Sequence, residues 1–171
     1  IQRMEAPEAE ELEAVLTKVE AYESAFQTGN ATLDIILTEK KMLCQQEKIS
    51  FSCMADGVAL EFMNELDLAS LFGNSLDNAI EQERKEAVEK RYIFLKVQRN
   101  GMLVSIRIEN YCEIFPEISA DGLPAASSKK DAVFHGYGTK SMQYVVEKYG
   151  GNFRISREGK LFVVSMLFPM S

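Results

Sequence analysis

Leu71-Phe72-Gly73-Asn74-Ser75-Leu76-Asp77-Asn78-Ala79-Ile80-Glu81 is the stretch on which the reading of the whole chain turns. Leu71, Phe72, Ser75, Leu76, Ala79 and Ile80 recur at spacings of three and four, which predicts a helix with one apolar stripe. Asn74 and Asn78 are one helical turn apart and share a face close to that stripe. Asn is a middling helix former that competes for its own backbone, so two on one face, with Asp77 beside them, ask for a reason. One reason is a row of polar groups aimed into a cleft, where an amide oxygen coordinates a hard cation and an amide nitrogen donates to phosphate. A capped or solvated polar patch is the plainer alternative.

Downstream, the charged run Glu81 to Lys90 ends this helix. Tyr92–Val97 and Met102–Asn110 read as two strands joined by Arg99-Asn100-Gly101, with Asn-Gly as the hairpin signal. Val104, Ile106 and Ile108 share one face of the second strand, and Arg107 and Glu109 share the other. Asn110 closes that strand where, by analogy with open sheets, ligand sites begin. Residues 111–136 carry Pro116, Gly122, Pro124, Ser127, Ser128 and Lys129-Lys130 and read as a lid, a binding loop or a disordered segment. Gly136-Tyr137-Gly138 is then expected just ahead of a helix that runs through Lys148, with Val145 and Val146 on its apolar side and Gly150-Gly151 as its stop. Glycines there allow close backbone approach, and a helix start offers free N–H groups to phosphate. Thr139 and Ser141 add hydroxyls and Lys140 adds a charge. The stretch is no dinucleotide fingerprint, lacking a strand directly before it and a third glycine, and no P-loop, lacking the Gly-Lys-Ser/Thr ending. A hairpin of Asn152–Arg157 and Leu161–Phe168 around Glu158-Gly159-Lys160 completes the chain.

Upstream, Asp67 is the expected cap of the Asn74/Asn78 helix, and Val58 to Met63 fits a short strand, a helical turn or irregular chain. Ile49–Cys53 alternates as a strand, with Asp56-Gly57 as a turn. A helix over Ala31–Gln46 buries Leu33, Ile36, Leu37 and Leu43, with Asn30 as its cap and Gly29 as the C′ stop of the helix before it. That first helix, from Glu10 to about Gln27 after a frayed start, carries Leu12, Val15, Val19, Tyr22 and Phe26 in a short a/d rhythm, with glutamates opposite. Such a seam suits pairing with another helix, in cis or in a dimer; an ordinary helix docked on its own domain is the alternative. The order helix, helix, strand, helix, hairpin, loop, helix, hairpin gives an α+β class: a mostly antiparallel mixed sheet with helices on one face.

Composition limits the partners. The formal net charge of -7 argues against nucleic acid or an anionic membrane surface, but leaves room for a small phosphate ligand at a local positive site. Cys44, Cys53 and Cys112 are odd in number and widely spaced, as reduced thiols are. No apolar run approaches 18 residues, and the chain opens on Ile1, so it is read as a piece of a longer protein. His135 is the single histidine, too few for a metal cluster, and no Ser, His and acid set is spaced for catalysis; it reads as a loop residue beside the glycines.

Leu71 to Glu81 resembles the N box of the GHKL superfamily, the ATPase/kinase fold of sensor histidine kinases, gyrase and the MutL proteins, and His135 to Met142 resembles its second glycine box. More narrowly, Thr28-Gly29-Asn30 with Leu33-Asp34-Ile35-Ile36-Leu37 and Lys40, then Leu71 to Glu81, Glu109-Asn110 and His135 to Ser141, is similar to the sensor kinases of Gram-positive peptide-pheromone (quorum-sensing) systems, which work with LytTR-type response regulators. The resemblance covers roughly residues 28–169 and implies a two-layer sandwich of the GHKL (Bergerat) type.

It also implies roles. Asn78 matches the Asn that binds the Mg²⁺ bridging the ATP phosphates. Asn74 matches the position of a general-base Glu in the hydrolysing members; an Asn cannot take that proton, so free ATPase activity is expected to be slight. Asn110 matches the Asp that reads the adenine amino group. His135, Gly136, Tyr137, Gly138, Thr139 and Lys140 match the end of the ATP lid, itself placed at residues 113–135, with Lys140 near the phosphates. Residues 1–27 correspond to the end of a dimerisation hairpin and 28–171 to the ATP-binding catalytic domain. The phosphoacceptor His, any membrane anchor and the homodimer contacts then lie upstream of Ile1, and the domain itself is cytoplasmic. Two departures stand out: Cys112 and Ile114 occupy the positions of the first glycine box, and the N-terminal helix holds no histidine. A GHKL-like docking module that has lost nucleotide is the rival reading. A mismatch-repair or topoisomerase-type ATPase is disfavoured by Asn74 and by the lack of a transducer domain.

Overall fold

The computed structural model describes residues 9–23, 26–124 and 129–171, with backbone alone over 19–23 and 129–137. The chain folds in the order α1 (Ala9–Glu23), α2 (Ala31–Gln46), β1 (Ser50–Ala55), α3 (Glu65–Arg84), β2 (Tyr92–Asn100), β3 (Leu103–Tyr111), α4 (Lys129–Lys148), β4 (Asn152–Glu158) and β5 (Leu161–Pro169). The strands form one sheet in the order β1-β2-β3-β5-β4. Only β1 pairs with its neighbour in parallel; every other pairing is antiparallel. This is the α+β sandwich that the element order predicts.

Register explains the core. Leu95 lies opposite Ile108, which lies opposite Val164; Val97, Ile106 and Met166 form the next row, and Val104 faces Phe168. All of these side chains are buried in one core with Leu68, Leu71, Phe72, Leu76 and Ile80 of α3 and Leu33 and Leu37 of α2. Asn110 belongs to the same inward row, between Ile93 and Phe162. The other sheet face carries Arg107, which pairs with Glu109 at 2.8 Å and with Glu158.

Thr28-Gly29-Asn30 proves to be a cap and not the stop of the first helix. Asn30 Oδ1 accepts from the Leu33 N–H at 3.0 Å, and Asp34 Oδ1 accepts from both the Thr28 N–H (2.9 Å) and its hydroxyl (2.6 Å). Gly29, at φ +92°, lies beyond α1 and turns the chain under Val58. The Gly57 N–H donates to Thr28 O at 2.9 Å, locking this cap to the short 3₁₀ turn Gly57–Leu60 that fills the undecided stretch before α3.

Other expectations need correcting. Asn64, not Asp67, caps α3: its side chain accepts from the Asp67 N–H at 2.8 Å. Asp67 instead takes Lys148 Nζ (2.8 Å) and the Tyr149 hydroxyl (2.6 Å), tying the start of α3 to the end of α4. The hairpin loop is Gly101-Met102, one residue later than Asn-Gly, with Asn100 opposite Leu103 and Gly101 at φ +59°. Phe26 does not continue the seam of α1. It lies past the helix and meets Phe51 edge-on at 6.3 Å. Leu12, Val15 and Leu16 of α1 are about half exposed, so this side is not docked in the core. Val19 and Tyr22 fall outside the described side chains.

Arg91 ties the helix ends together. Its guanidinium donates to the carbonyls of Glu47 (2.6 Å), Arg84 (3.3 Å) and Glu86 (3.1 Å), satisfying the ends of α2 and α3 just before β2 begins. Among the described residues no helix is long and apolar enough to cross a membrane. The three cysteines are free, and burial pushes the Cys44 and Cys53 thiols up to about 11.

A Cβ at Gly57 would lie 2.9 Å from the Asn30 backbone nitrogen and 2.7 Å from its Cβ. Gly57→Ala is therefore expected to destabilise the domain by roughly 1–3 kcal/mol, as overpacking of a tight contact does. Urea unfolding checks this; an unchanged midpoint would show that the cap can move away without cost.

Candidate functional site

Two helices build the candidate site. α3 places Asn74 and Asn78 on the side turned away from the sheet, and α4 runs antiparallel across them. Tight contacts mark the crossing. Asp67 meets Lys148, Asn74 Nδ2 donates to Ser141 Oγ (3.4 Å) and to Ser70 Oγ (3.3 Å), and the Ser75 hydroxyl lies 2.8 Å from the Met142 sulfur. Asn78 lies against Gly138, where a Cβ would come within 3.3 Å of Asn78 Oδ1 and 3.4 Å of its Nδ2. The polar row predicted on α3 therefore exists, half-buried, and what it faces is the second predicted stretch.

The start of that second stretch is corrected. Its helix begins at Lys129, so Gly136 and Gly138 lie inside α4 and not ahead of it. Glycine inside a helix costs about 1 kcal/mol against alanine, and at Gly138 the bare Cα is what lets α4 approach Asn78. Thr139, read as a hydroxyl donor, is buried, while Lys140 is exposed. The side chains of His135, Gly136 and Tyr137 lie outside the described residues, as do residues 125–128 of the expected lid. Of the remaining lid, Leu123 is buried and Ile114 is 84% exposed. Lys40, on α2, holds Asp77 at 2.7 Å beside Asn78. Burial lowers the Lys40 pKa and the Asp77 carboxylate raises it; the carboxylate prevails, so Lys40 stays charged.

Asn110 sits at a different point of α3. Its amide donates to Glu83 Oε1 at 3.1 Å and to Tyr111 O at 3.0 Å. Glu83, one and a half turns beyond Asn78, has no exposed surface, and its second oxygen accepts from the Tyr92 N–H at 3.0 Å. Sequence reasoning misses this residue, which lies in a charged run that reads as a solvated helix end. Its period on the α3 stripe, three residues after Ile80 and four after Ala79, is the signal that could have marked it as inward. Among the described residues no group of three or more His, Cys, Asp or Glu side chains is placed to hold a metal ion. An amide oxygen at Asn78 is the hard donor this crossing offers.

Burial pushes the Glu83 carboxyl up to about 7, against the hydrogen bonds from Tyr92 and Asn110 that pull it down. In the unfolded chain it titrates near 4.5, so between those values the folded state holds the extra proton. Stability must fall as pH rises from 4.5 through 7, by up to roughly 3 kcal/mol. Measured by urea unfolding at pH 5 and pH 8, the wild type is expected to lose stability that Glu83→Gln does not lose. Equal pH slopes in the two proteins would remove Glu83 as the cause.

The profile of the GHKL domain family matches residues 63–169, which run from the start of α3 to the end of β5. No curated protein matches the chain in sequence. Among solved structures, the catalytic domain of the histidine kinase ThkA superposes with a TM-score of 0.57 at 16% identity, covering 81% of this chain and 92% of that one. The Acinetobacter baumannii histidine kinase AdeS superposes with a TM-score of 0.55 at 12% identity, over 98% of this chain and 87% of that one. The histidine kinase domain of a blue-light-activated kinase of Erythrobacter litoralis gives 0.54 at 14% identity, over 79% of this chain and 59% of that one. These likenesses concern the fold. With the family profile covering more than half of its length, the chain belongs to the GHKL domain family.

Proposed function

We propose that this GHKL domain is the ATP-binding catalytic domain of a sensor histidine kinase. The observation that carries the reading is the α3–α4 crossing, which sets Asn78 against the bare backbone of Gly138, a gap that a single Cβ would fill. In this reading the phosphates of ATP lie where the two helices cross, with Asn78 Oδ1 as a ligand of Mg²⁺ and Asn74 beside it. The bound Mg²⁺ supplies charge neutralisation on the phosphates. Lys140 adds a positive charge from the exposed side of α4, Gly136, Gly138 and Thr139 bring backbone close, and His135 and Tyr137 flank them. Asn110 receives the adenine. The rest of the work is positioning.

The acceptor is a histidine on a segment upstream of Ile1. The bond from the γ-phosphorus to the bridging oxygen breaks, a phosphorus–nitrogen bond to the imidazole forms, and ADP leaves. Asn74 has no carboxylate with which to activate water, so phosphotransfer and not hydrolysis is the supported chemistry. The exposed Leu12, Val15 and Leu16 of α1 support residues 1–27 as the end of a dimerisation hairpin, and 28–171 as the catalytic domain. The motif resemblance supports membership of the quorum-sensing kinases, a LytTR-type response regulator as the next acceptor, and a cytoplasmic site of action on a membrane-anchored sensor.

One observation favours a second reading. Cys112 is buried and Ile114 exposed where the superfamily's first glycine box would be, which fits a docking module that no longer binds nucleotide.

Titration calorimetry with ADP, with and without Mg²⁺, separates the two. The kinase reading predicts Mg²⁺-dependent binding that Asn78→Ala abolishes; no heat at millimolar ADP from folded protein would leave the docking module. Gly138→Ala adds a discriminating measurement. Its stability is expected to stay within about 1 kcal/mol of wild type, because alanine suits a helix interior. Its affinity for Mg-ADP is expected to fall severalfold, because the new methyl crowds Asn78.

A further inference from the structure

The nucleotide reading above places adenine at Asn110, and the structure carries that site one residue deeper. We propose that Glu83 is a positioning residue for purine selection: it holds the Asn110 amide so that Oδ1, and not the NH2 group, is presented to the 6-position of the base. Adenine nucleotides are thereby preferred over guanine nucleotides.

The geometry leaves the amide one orientation. Its nitrogen has two hydrogens, and both are used, one on Glu83 Oε1 at 3.1 Å and one on Tyr111 O at 3.0 Å. Turning the amide over would set Oδ1 against a carboxylate oxygen and a carbonyl oxygen at once. No hydrogen bond to Oδ1 is formed among the described residues, so that oxygen is the group left to offer. The 6-amino group of adenine donates to it. The 6-oxo group of guanine would meet it as a second acceptor.

Glu83 in turn has no freedom. It is wholly buried, and its other oxygen accepts from the Tyr92 N–H at 3.0 Å, the first amide of β2. Both oxygens must accept, which a carboxylate can do and a neutral amide cannot. Donation to a negative group also draws electron density toward Oδ1 and makes it a better acceptor. Above its raised pKa, as at pH 8, Glu83 thus puts a negative charge at the base end of the site, moved from the reading residue to the one behind it.

The test is calorimetry of the folded chain with Mg-ADP and Mg-GDP at pH 8. Wild type is expected to favour ADP by tenfold or more. In Glu83→Gln the amide side chain must oppose either the Tyr92 N–H or Asn110, the orientation loosens, and the two ligands are expected to bind within about threefold of each other. In the double variant E83Q/N110D the amide introduced at position 83 donates to the new carboxylate and still accepts from Tyr92. One carboxylate oxygen then remains for the 6-amino group, and the preference for ADP is expected to return in part, because the oxygen that replaces Nδ2 now opposes Tyr111 O. If wild type binds ADP and both variants keep the wild-type ratio, Glu83 does not position the base and the proposal falls alone. If wild type binds neither nucleotide, the nucleotide reading falls and takes the proposal with it.

Should E83Q fail to fold, the wild type itself gives the answer between pH 6 and pH 8. A protonated Glu83 loses one acceptor, and the ratio of the two affinities is expected to narrow at pH 6; a constant ratio would overturn the proposal. The diphosphate titrates alike in both ligands and cancels. The charged or titratable groups around Glu83 are Glu86 and Arg91 beside the end of α3, Cys44 on α2 and Cys112 after β3, and the thiols stay neutral across this range.

Discussion

The structure depends on what α3 has to do on two sides. One side must be apolar enough to seal the sheet, and Leu68, Leu71, Phe72, Leu76 and Ile80 are almost wholly withdrawn from water. The other must let α4 come close while keeping polar groups at hand, and there Ser70, Asn74 and Asn78 meet Gly138 and Ser141. Hydrophobic burial fixes where α3 sits, while the small and amide side chains fix how near α4 can come. Neither half would serve without the other. An apolar second face would pull α4 down and close the crossing, and bulky polar groups would hold it off.

The ends of this helix pair are fastened by different chemistry. At one end Asp67, the half-exposed Lys148 and the Tyr149 hydroxyl form a cluster at the surface, with Tyr149 also accepting from the Asn64 N–H at 3.1 Å. At the other, Arg91 and Glu83 join α3 to α2, β2 and β3 through main-chain and amide contacts. An exposed ion pair contributes little, and a buried charge with its hydrogen bonds satisfied is costly to disturb. The Glu83 end is therefore the firm one, and it is the end where the last inward residue of β3, Asn110, enters the site.

The legible parts of the chain were those in which a local rule and the tertiary fold agree. Asn30 caps α2 as its position ahead of an apolar run requires, and the alternation of β3 puts Val104, Ile106 and Ile108 in the core. Asn74 and Asn78 stand out because two amides on one helical face need a reason, and both face α4. Local rules fail where two local solutions compete and only the fold decides between them. Asn64 and Asp67 can each cap α3; the choice falls on Asn64 because Asp67 is taken by Lys148 and Tyr149, more than 80 positions away. Two glycines argued for a helix start, but the contact with Asn78 calls for glycine inside the helix just as well. In Thr28-Gly29-Asn30 the cap at Asn30 is legible from local rules, while the bonds of Thr28 to Asp34 and the brace from Gly57 depend on the fold.

Glu83 shows the limit most clearly. A glutamate among Glu81, Gln82, Arg84 and Lys85 carries every mark of a solvated helix end. It is held inward because two strands converge there: the first N–H of β2 needs an acceptor, and the Asn110 amide of β3 needs another. A neutral amide could satisfy one of those donors and would leave the other unpaired, at a cost of roughly 1–3 kcal/mol. The pairing with Asn110 also bears on the departure from the superfamily pattern. Under the proposed nucleotide reading, an uncharged residue at position 110 looks like a loss when that position is considered alone. In that reading Glu83, once ionised, supplies the negative charge from one hydrogen bond behind Asn110. Substituting one residue of the pair changes what the other can present, so the two positions act as one chemical unit.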